Sequence, residues 1–114
     1  MIRAAIVGMG WWGQTLANYL ATSEVIKPVL AIDPLETARA KAAASGLETS
    51  PRFEDALIRP DIDAVILCTP QDHHAAQIVA AAQAGRHVFC EKPLCTTAAE
   101  AELAIAAITK ANVQ

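Results

Sequence analysis

The chain has 114 residues, 54% hydrophobic and 18% charged, with a net charge of −3. That is enough chain to bury one core without disulfide or metal support, and it is far too apolar to be a disordered segment. It has no lysine- or arginine-rich run to suit nucleic acid or an anionic membrane, and no apolar run approaches the roughly 20 residues of a membrane span. No export signal is read at the N-terminus, so the cytoplasm is the expected compartment. Cys68, Cys90 and Cys95 form an odd set without C-x-x-C, which argues for free thiols rather than a disulfide framework or a zinc site, and no metal is expected.

Residues 2–7 (IRAAIV) are short, apolar and followed by Gly8, the pattern of a buried strand. Helical spacing follows over 11–22. Residues 25–32 (VIKPVLAI) predict a second strand, with Pro28 confining its regular part to about 29–32. A helix is predicted over 34–45, stopped by Gly46, then a short strand near 48–49 and a short helix over 53–58. Residues 63–68 (DAVILC) read as a buried strand, 72–84 as an alanine-rich helix closed by Gly85, and 87–90 (HVFC) as a fifth strand. Thr97 and Glu100 have capping-box spacing and open a last helix, whose apolar face is expected to be Leu103, Ala104, Ala107, Ile108 and Ala111. Strands alternating with helices predict an α/β fold: a doubly wound, parallel sheet of about five strands in a single unit spanning 1–114.

Gly8, Gly10 and Gly13 spell G-x-G-x-x-G directly between the first strand and the first helix. In that setting the first glycine permits the turn, the second lets backbone approach a pyrophosphate, and the third lets helix and strand pack closely. The motif therefore predicts a Rossmann-type dinucleotide site with the phosphates at the helix N-terminus. Trp11 and Trp12 fill the variable positions. Both are candidates for nucleotide contact, one of them in the core or over the nucleotide, the other exposed. Asp33 lies 20 residues beyond Gly13 at the end of the second strand. It can accept from the adenosine ribose hydroxyls, which favours NAD over NADP because a carboxylate repels a 2′-phosphate. Asp33 followed by Pro34 also reads as the N-cap and first residue of a helix. Arg39 is expected to face solvent.

The ends of the fourth and fifth strands carry Thr69, Pro70, His73 and His74, then Glu91, Lys92 and Pro93. In a parallel sheet these reach the same edge as the glycine turn. Together with Ala84-Gly85-Arg86-His87-Val88, these segments resemble the Gfo/Idh/MocA oxidoreductases, whose pattern is G-x-G-x-x-G, T-P-x-x-x-H, A-G-x-H-V and E-K-P. The resemblance spans essentially the whole chain; Gln71 departs mildly, standing where asparagine is frequent.

The resemblance implies that Thr69, Pro70 and Glu91 line the dinucleotide. It implies that Lys92 lies near nicotinamide and substrate, assisting proton transfer, and that the Lys92–Pro93 bond is cis. His74 is placed either to cap a helix or to touch the cofactor. Family members continue into a second α/β domain that holds most of the substrate pocket, for sugars, inositols or related polyols. These 114 residues alone are thus expected to bind NAD without turnover. An NAD-responsive binding module, or half of a split enzyme, are the competing readings. The strand at 87–90 is expected at a sheet edge, promoting a homo-oligomer or covered by residues near the C-terminus.

Overall fold

In the computed structural model, which describes residues 1–114, strand and helix alternate throughout. The strands are β1 (Ile2–Val7), β2 (Ile26–Ile32), β3 (Glu48–Ser50), β4 (Ala64–Leu67) and β5 (His87–Cys90). The helices are α1 (Trp11–Leu20), α2 (Glu36–Ala44), α3 (Glu54–Ile58), α4 (Gln71–Gln83) and α5 (Ala98–Ala111). Every pairing is parallel and the sheet order is β3-β2-β1-β4-β5. Winding reverses between β1 and β4, and a crevice opens at the carboxyl ends of strands at such a reversal.

Alternate residues of each strand point to opposite faces. On one face Ala5, Val7, Leu30, Ile32, Val65 and Leu67 meet Ala56 of α3, Ile78 and Ala81 of α4 and Ala104 of α5. On the other, Ala4, Ile6, Ala31 and Ile66 meet Ala17 of α1 and Ala42 of α2. Alanine at these contacts lets the helices lie close to the sheet. The α1 face leaves part of the sheet uncovered beside β5, where Ile66 and Phe89, with Leu16, Leu20 and Ile26, line an apolar hollow of about 250 Å³.

Three local expectations give way to the structure. Pro28 does not delay β2: Ala4 pairs with Pro28 and Ala5 with Leu30, so Val29 is an extra residue. The bulge absorbs the missing proline N–H. Asp33 is not the N-cap of α2; Leu35 takes that position, and the Asp33 carboxylate is shared between Leu35 N and the glycine turn, as described below. In α5 the capping box forms as expected, with Thr97 Oγ1 accepting from Glu100 N at 3.1 Å and the Glu100 carboxylate accepting from Thr97 N at 3.2 Å. Its buried stripe is narrower than the expected face, however: Ala104 is buried and Ile108 half-buried, while Leu103 is 66% exposed.

β5 lies at the edge of the sheet, and residues near the C-terminus reach it: Val88 N donates to Gln114 O at 2.8 Å and Gln114 N donates to His87 Nδ1 at 3.0 Å. Between α4 and β5, Arg86 reaches inward and donates to the carbonyls of Ile62 at 2.7 Å, Leu57 at 2.9 Å and Arg59 at 3.0 Å. Near the amino end of the sheet, Asp61 accepts from Arg3 at 2.8 Å and Arg59 at 2.7 Å, and Arg59 also pairs with Glu48. Hydrogen bonds from Arg59 and Arg3 hold the Asp61 carboxyl well below the usual carboxylate range.

Candidate functional site

The ends of β1, β2, β4 and β5 bring the three glycines, Asp33, Thr69 and Glu91 to one edge of the sheet. The glycines there are not equivalent. A Cβ on Gly8, whose φ is +91°, would stand 2.7 Å from the Cys68 carbonyl oxygen. A Cβ on Gly13 would stand 1.9 Å from the Gly8 carbonyl oxygen. Both are therefore demanded by packing of the β1–α1 turn against β4 and against itself. Gly10 has φ −65° and a Cβ there would meet nothing within 4 Å. Gly10 is the N-cap of α1 and supplies no capping side chain, so the first-turn N–H groups have no side-chain partner.

Asp33 is 8% exposed and serves as a latch. One carboxylate oxygen accepts from Met9 N, inside the glycine turn, at 2.7 Å, and the other accepts from Leu35 N at 2.8 Å. Each carboxylate oxygen has a further acceptor position left. Arg39 does not extend into solvent; its guanidinium folds back onto the carbonyls of Asp33 and Pro34, both at 2.8 Å. The turn is further held by Gln14 Nε2, which donates to Met9 O at 2.8 Å.

Neither tryptophan joins the core. Trp11 is 79% and Trp12 37% exposed, and their rings lie tilted against each other with centroids 5.6 Å apart. Both sit on the first turn of α1, whose buried residues are instead Gly13 and Ala17. An open cleft lined by Gly10, Trp11, Gln14, Thr15, Thr37 and Lys41 leads away from the glycine turn.

On the other side of the reversal, Thr69 Oγ1 donates to Gln77 Oε1 at 2.6 Å. Glu91 N donates to Leu67 O at 3.0 Å, carrying the β4–β5 ladder one residue past β5. The Lys92–Pro93 bond is cis, and Lys92 is exposed and forms no ion pair. Pro70 is the N-cap of α4 and is exposed. His74 is buried, its ring lodged between the carbonyl of Thr69 and those of Pro93 and Leu94. It therefore neither caps α4 nor stands open in the crevice. Burial, with the nearby Glu91 charge and Cys90, pushes the Cys68 thiol up to about 12; burial, with Cys95 and Glu91, pushes Cys90 up to about 11. The thiols at this edge are thus neutral and poor nucleophiles near pH 7.

Three contacts escaped the sequence reading: the Asp33 latch on Met9, the Thr69–Gln77 bond and the seat of His74. The last had a signal available in the T-x-x-x-x-H spacing. It puts the histidine on the first turn of α4, five residues past the threonine, where its ring can reach back to the turn.

Residues 2–114 match a family described as "Oxidoreductase family, NAD-binding Rossmann fold". The chain belongs to the Gfo/Idh/MocA oxidoreductases. It is similar to inositol 2-dehydrogenase of Acidothermus cellulolyticus, at 36% identity over 86% of this chain and 30% of that protein. It is also similar to 4-carboxy-2-hydroxymuconate-6-semialdehyde dehydrogenase of Sphingobium, at 39% identity over 89% of this chain and 33% of that one. Among solved structures, scyllo-inositol dehydrogenase of Lactobacillus casei, with bound NAD(H) and scyllo-inositol, superposes with a TM-score of 0.93 at 31% identity. That match takes in 100% of this chain and 35% of that one. The Gfo/Idh/MocA chain described here thus spans about a third of the length of these relatives and corresponds to their NAD-binding Rossmann portion. No helix is long and apolar enough to cross a membrane.

Proposed function

We propose that this chain holds NAD for hydride transfer to or from a sugar-, inositol- or polyol-like substrate, with Lys92 moving the substrate proton. The observation that carries the reading is Gly10. Packing accounts for Gly8 and Gly13, but nothing within the chain forbids a side chain at Gly10. A bare Cα at an uncapped helix start suits close approach of a pyrophosphate. Asp33 offers its remaining acceptor positions to the ribose hydroxyls and its charge disfavours a 2′-phosphate, so NAD is preferred over NADP. Thr69, Pro70, Glu91 and the exposed rings of Trp11 and Trp12 flank the cofactor along the crevice.

When bound, NAD supplies a carbon that accepts or gives up a hydride. Alcohol oxidation also releases a hydroxyl proton; Lys92, exposed and free of ion pairs, would take it through Nζ in its neutral amine form and return it as the ammonium in the reverse direction. The similarity to inositol dehydrogenases supports the substrate class. Positioning of the substrate carbon supplies much of such a rate. The 114 residues alone are therefore expected to bind NAD without turnover. Fluorescence titration with NADH and NADPH tests the cofactor reading: NADH binds more tightly, and Asp33→Ser narrows the gap. Equal or tighter NADPH binding by the unaltered chain refutes it.

A further inference from the structure

The ring of His74 is 1% exposed, while His73 and His87 are exposed. Its Nε2 lies 2.8 Å from the Thr69 carbonyl, and its Nδ1 lies 3.0 Å from the Pro93 carbonyl and 3.2 Å from that of Leu94. All three neighbours are backbone acceptors, so the ring is the donor to whichever segment it serves. With a proton on both nitrogens it joins the two segments at once; with one proton it serves one of them. The last ladder bond before this stretch is Glu91 N to Leu67 O. Past it, the contacts of His74 are the only hydrogen bonds that reach residues 92–95. Lys92 thus rides on a short exposed segment whose polar attachment to the rest of the fold is a single imidazole.

We propose that His74 is the positioning residue for Lys92. Donating from Nδ1, it ties the backbone just after Lys92 to the head of α4 and so fixes where the Lys92 side chain stands in the crevice. This rests on the reading of Lys92 given under Proposed function. Burial at the head of α4 makes the tie short and stiff, and a buried carbonyl left without its donor favours rearrangement of the segment. The catalytic consequence is sharp, since a displacement of about 1 Å at a reacting group can cost about 100-fold in rate.

The test needs no substrate. Reductive ¹³C-methylation labels Lys27, Lys41, Lys92 and Lys110 and the N-terminal amine, and loss of one NMR signal in Lys92→Arg assigns Lys92. In the unaltered chain the Lys92 signal is expected to move on saturation with NADH. In His74→Leu that movement, read at saturating NADH, falls to less than half while the other labelled lysines behave as before. His74→Gln, which keeps one donor nitrogen, gives an intermediate value. A purely structural histidine would lower the melting temperature and leave the saturated Lys92 signal where it was; that result in His74→Leu overturns the proposal. Should His74→Leu fail to fold, His74→Gln decides alone: a movement equal to the unaltered chain overturns the proposal, a reduced one supports it. A Lys92 signal indifferent to NADH in the unaltered chain instead overturns the reading of Lys92, and the proposal with it.

Discussion

Alanine substitutions at Gly10 and Gly13 separate two jobs that glycine does in one six-residue motif. At Gly13 the new Cβ would stand 1.9 Å from a backbone oxygen, so α1 or the turn must move. Forcing one methyl into a packed site costs about 1–3 kcal/mol, more where backbone must shift. For a chain of this size that lowers the melting temperature by roughly 5–15 °C. At Gly10 the Cβ enters open space and φ of −65° is ordinary for alanine. The remaining cost is that of a poorer N-cap, below about 1 kcal/mol. The same methyl stands where the pyrophosphate must approach, and a tenfold loss of affinity, about 1.4 kcal/mol, is the least expected. Thermal unfolding paired with NADH fluorescence titration reads both quantities. Gly10→Ala binding NADH as tightly as the unaltered chain would refute the cofactor reading, and an unchanged melting temperature in Gly13→Ala would refute the packing argument.

Thr97→Ala removes the N-cap acceptor of α5 and is expected to cost about 0.5–2 kcal/mol in urea unfolding. Asp61 has its folded pKa depressed by Arg59 and Arg3, so its contribution is complete above the ordinary carboxylate value near 4 and is lost as pH falls from there through the lowered folded value. Acid titration of stability should accordingly be shallower in Asp61→Asn than in the unaltered chain; parallel curves would dismiss the ion cluster as a source of acid sensitivity. With Cys68 raised to about 12 and Cys90 to about 11, both thiols are expected to alkylate slowly with iodoacetamide at pH 8, Cys68 the slower, as mass spectrometry of a time course would read.

The sequence made the strands and the crevice legible because both are governed by local pattern. Apolar runs ending in glycine or at the T-P and E-K-P segments mark β1, β4 and β5, and the capping box of α5 is complete within four residues. What stayed illegible depends on partners distant in the chain. Asp33 stands just ahead of α2, one carboxylate oxygen accepting from Leu35 N, but its other oxygen accepts from Met9 N, 24 residues away, a partner no local spacing reveals. Pro28 is tolerated inside β2 because the bulge at Val29 takes up the register. Leu103 matched the helical period yet lies exposed, since α5 rests on the alanine surface of α4 along a stripe too narrow to include it. Trp11 and Trp12 lie exposed because α1 meets the sheet through Gly13 and Ala17, a choice of face that the two variable positions of the glycine motif do not encode.

Arg86 has a bearing on how the chain folds. Its guanidinium closes the turn before β4 by bonding carbonyls 24 to 29 residues earlier, and in the same place His87 N donates to Asp63 O at 3.0 Å. Asp63 in turn donates through its backbone N–H to Arg3 O at 2.8 Å. The entrances of β4 and β5 are thereby tied to each other over 24 to 29 residues of chain, and that of β4 is tied to β1 over 60. The longer loop carries the larger closure cost, so the β1–β4 link is the slower of the two to form. The consequence expected is a single unfolding transition in which the glycine-turn half and the lysine-bearing half are lost together, the β1–β4 link at Arg3 and Asp63 joining the one to the other.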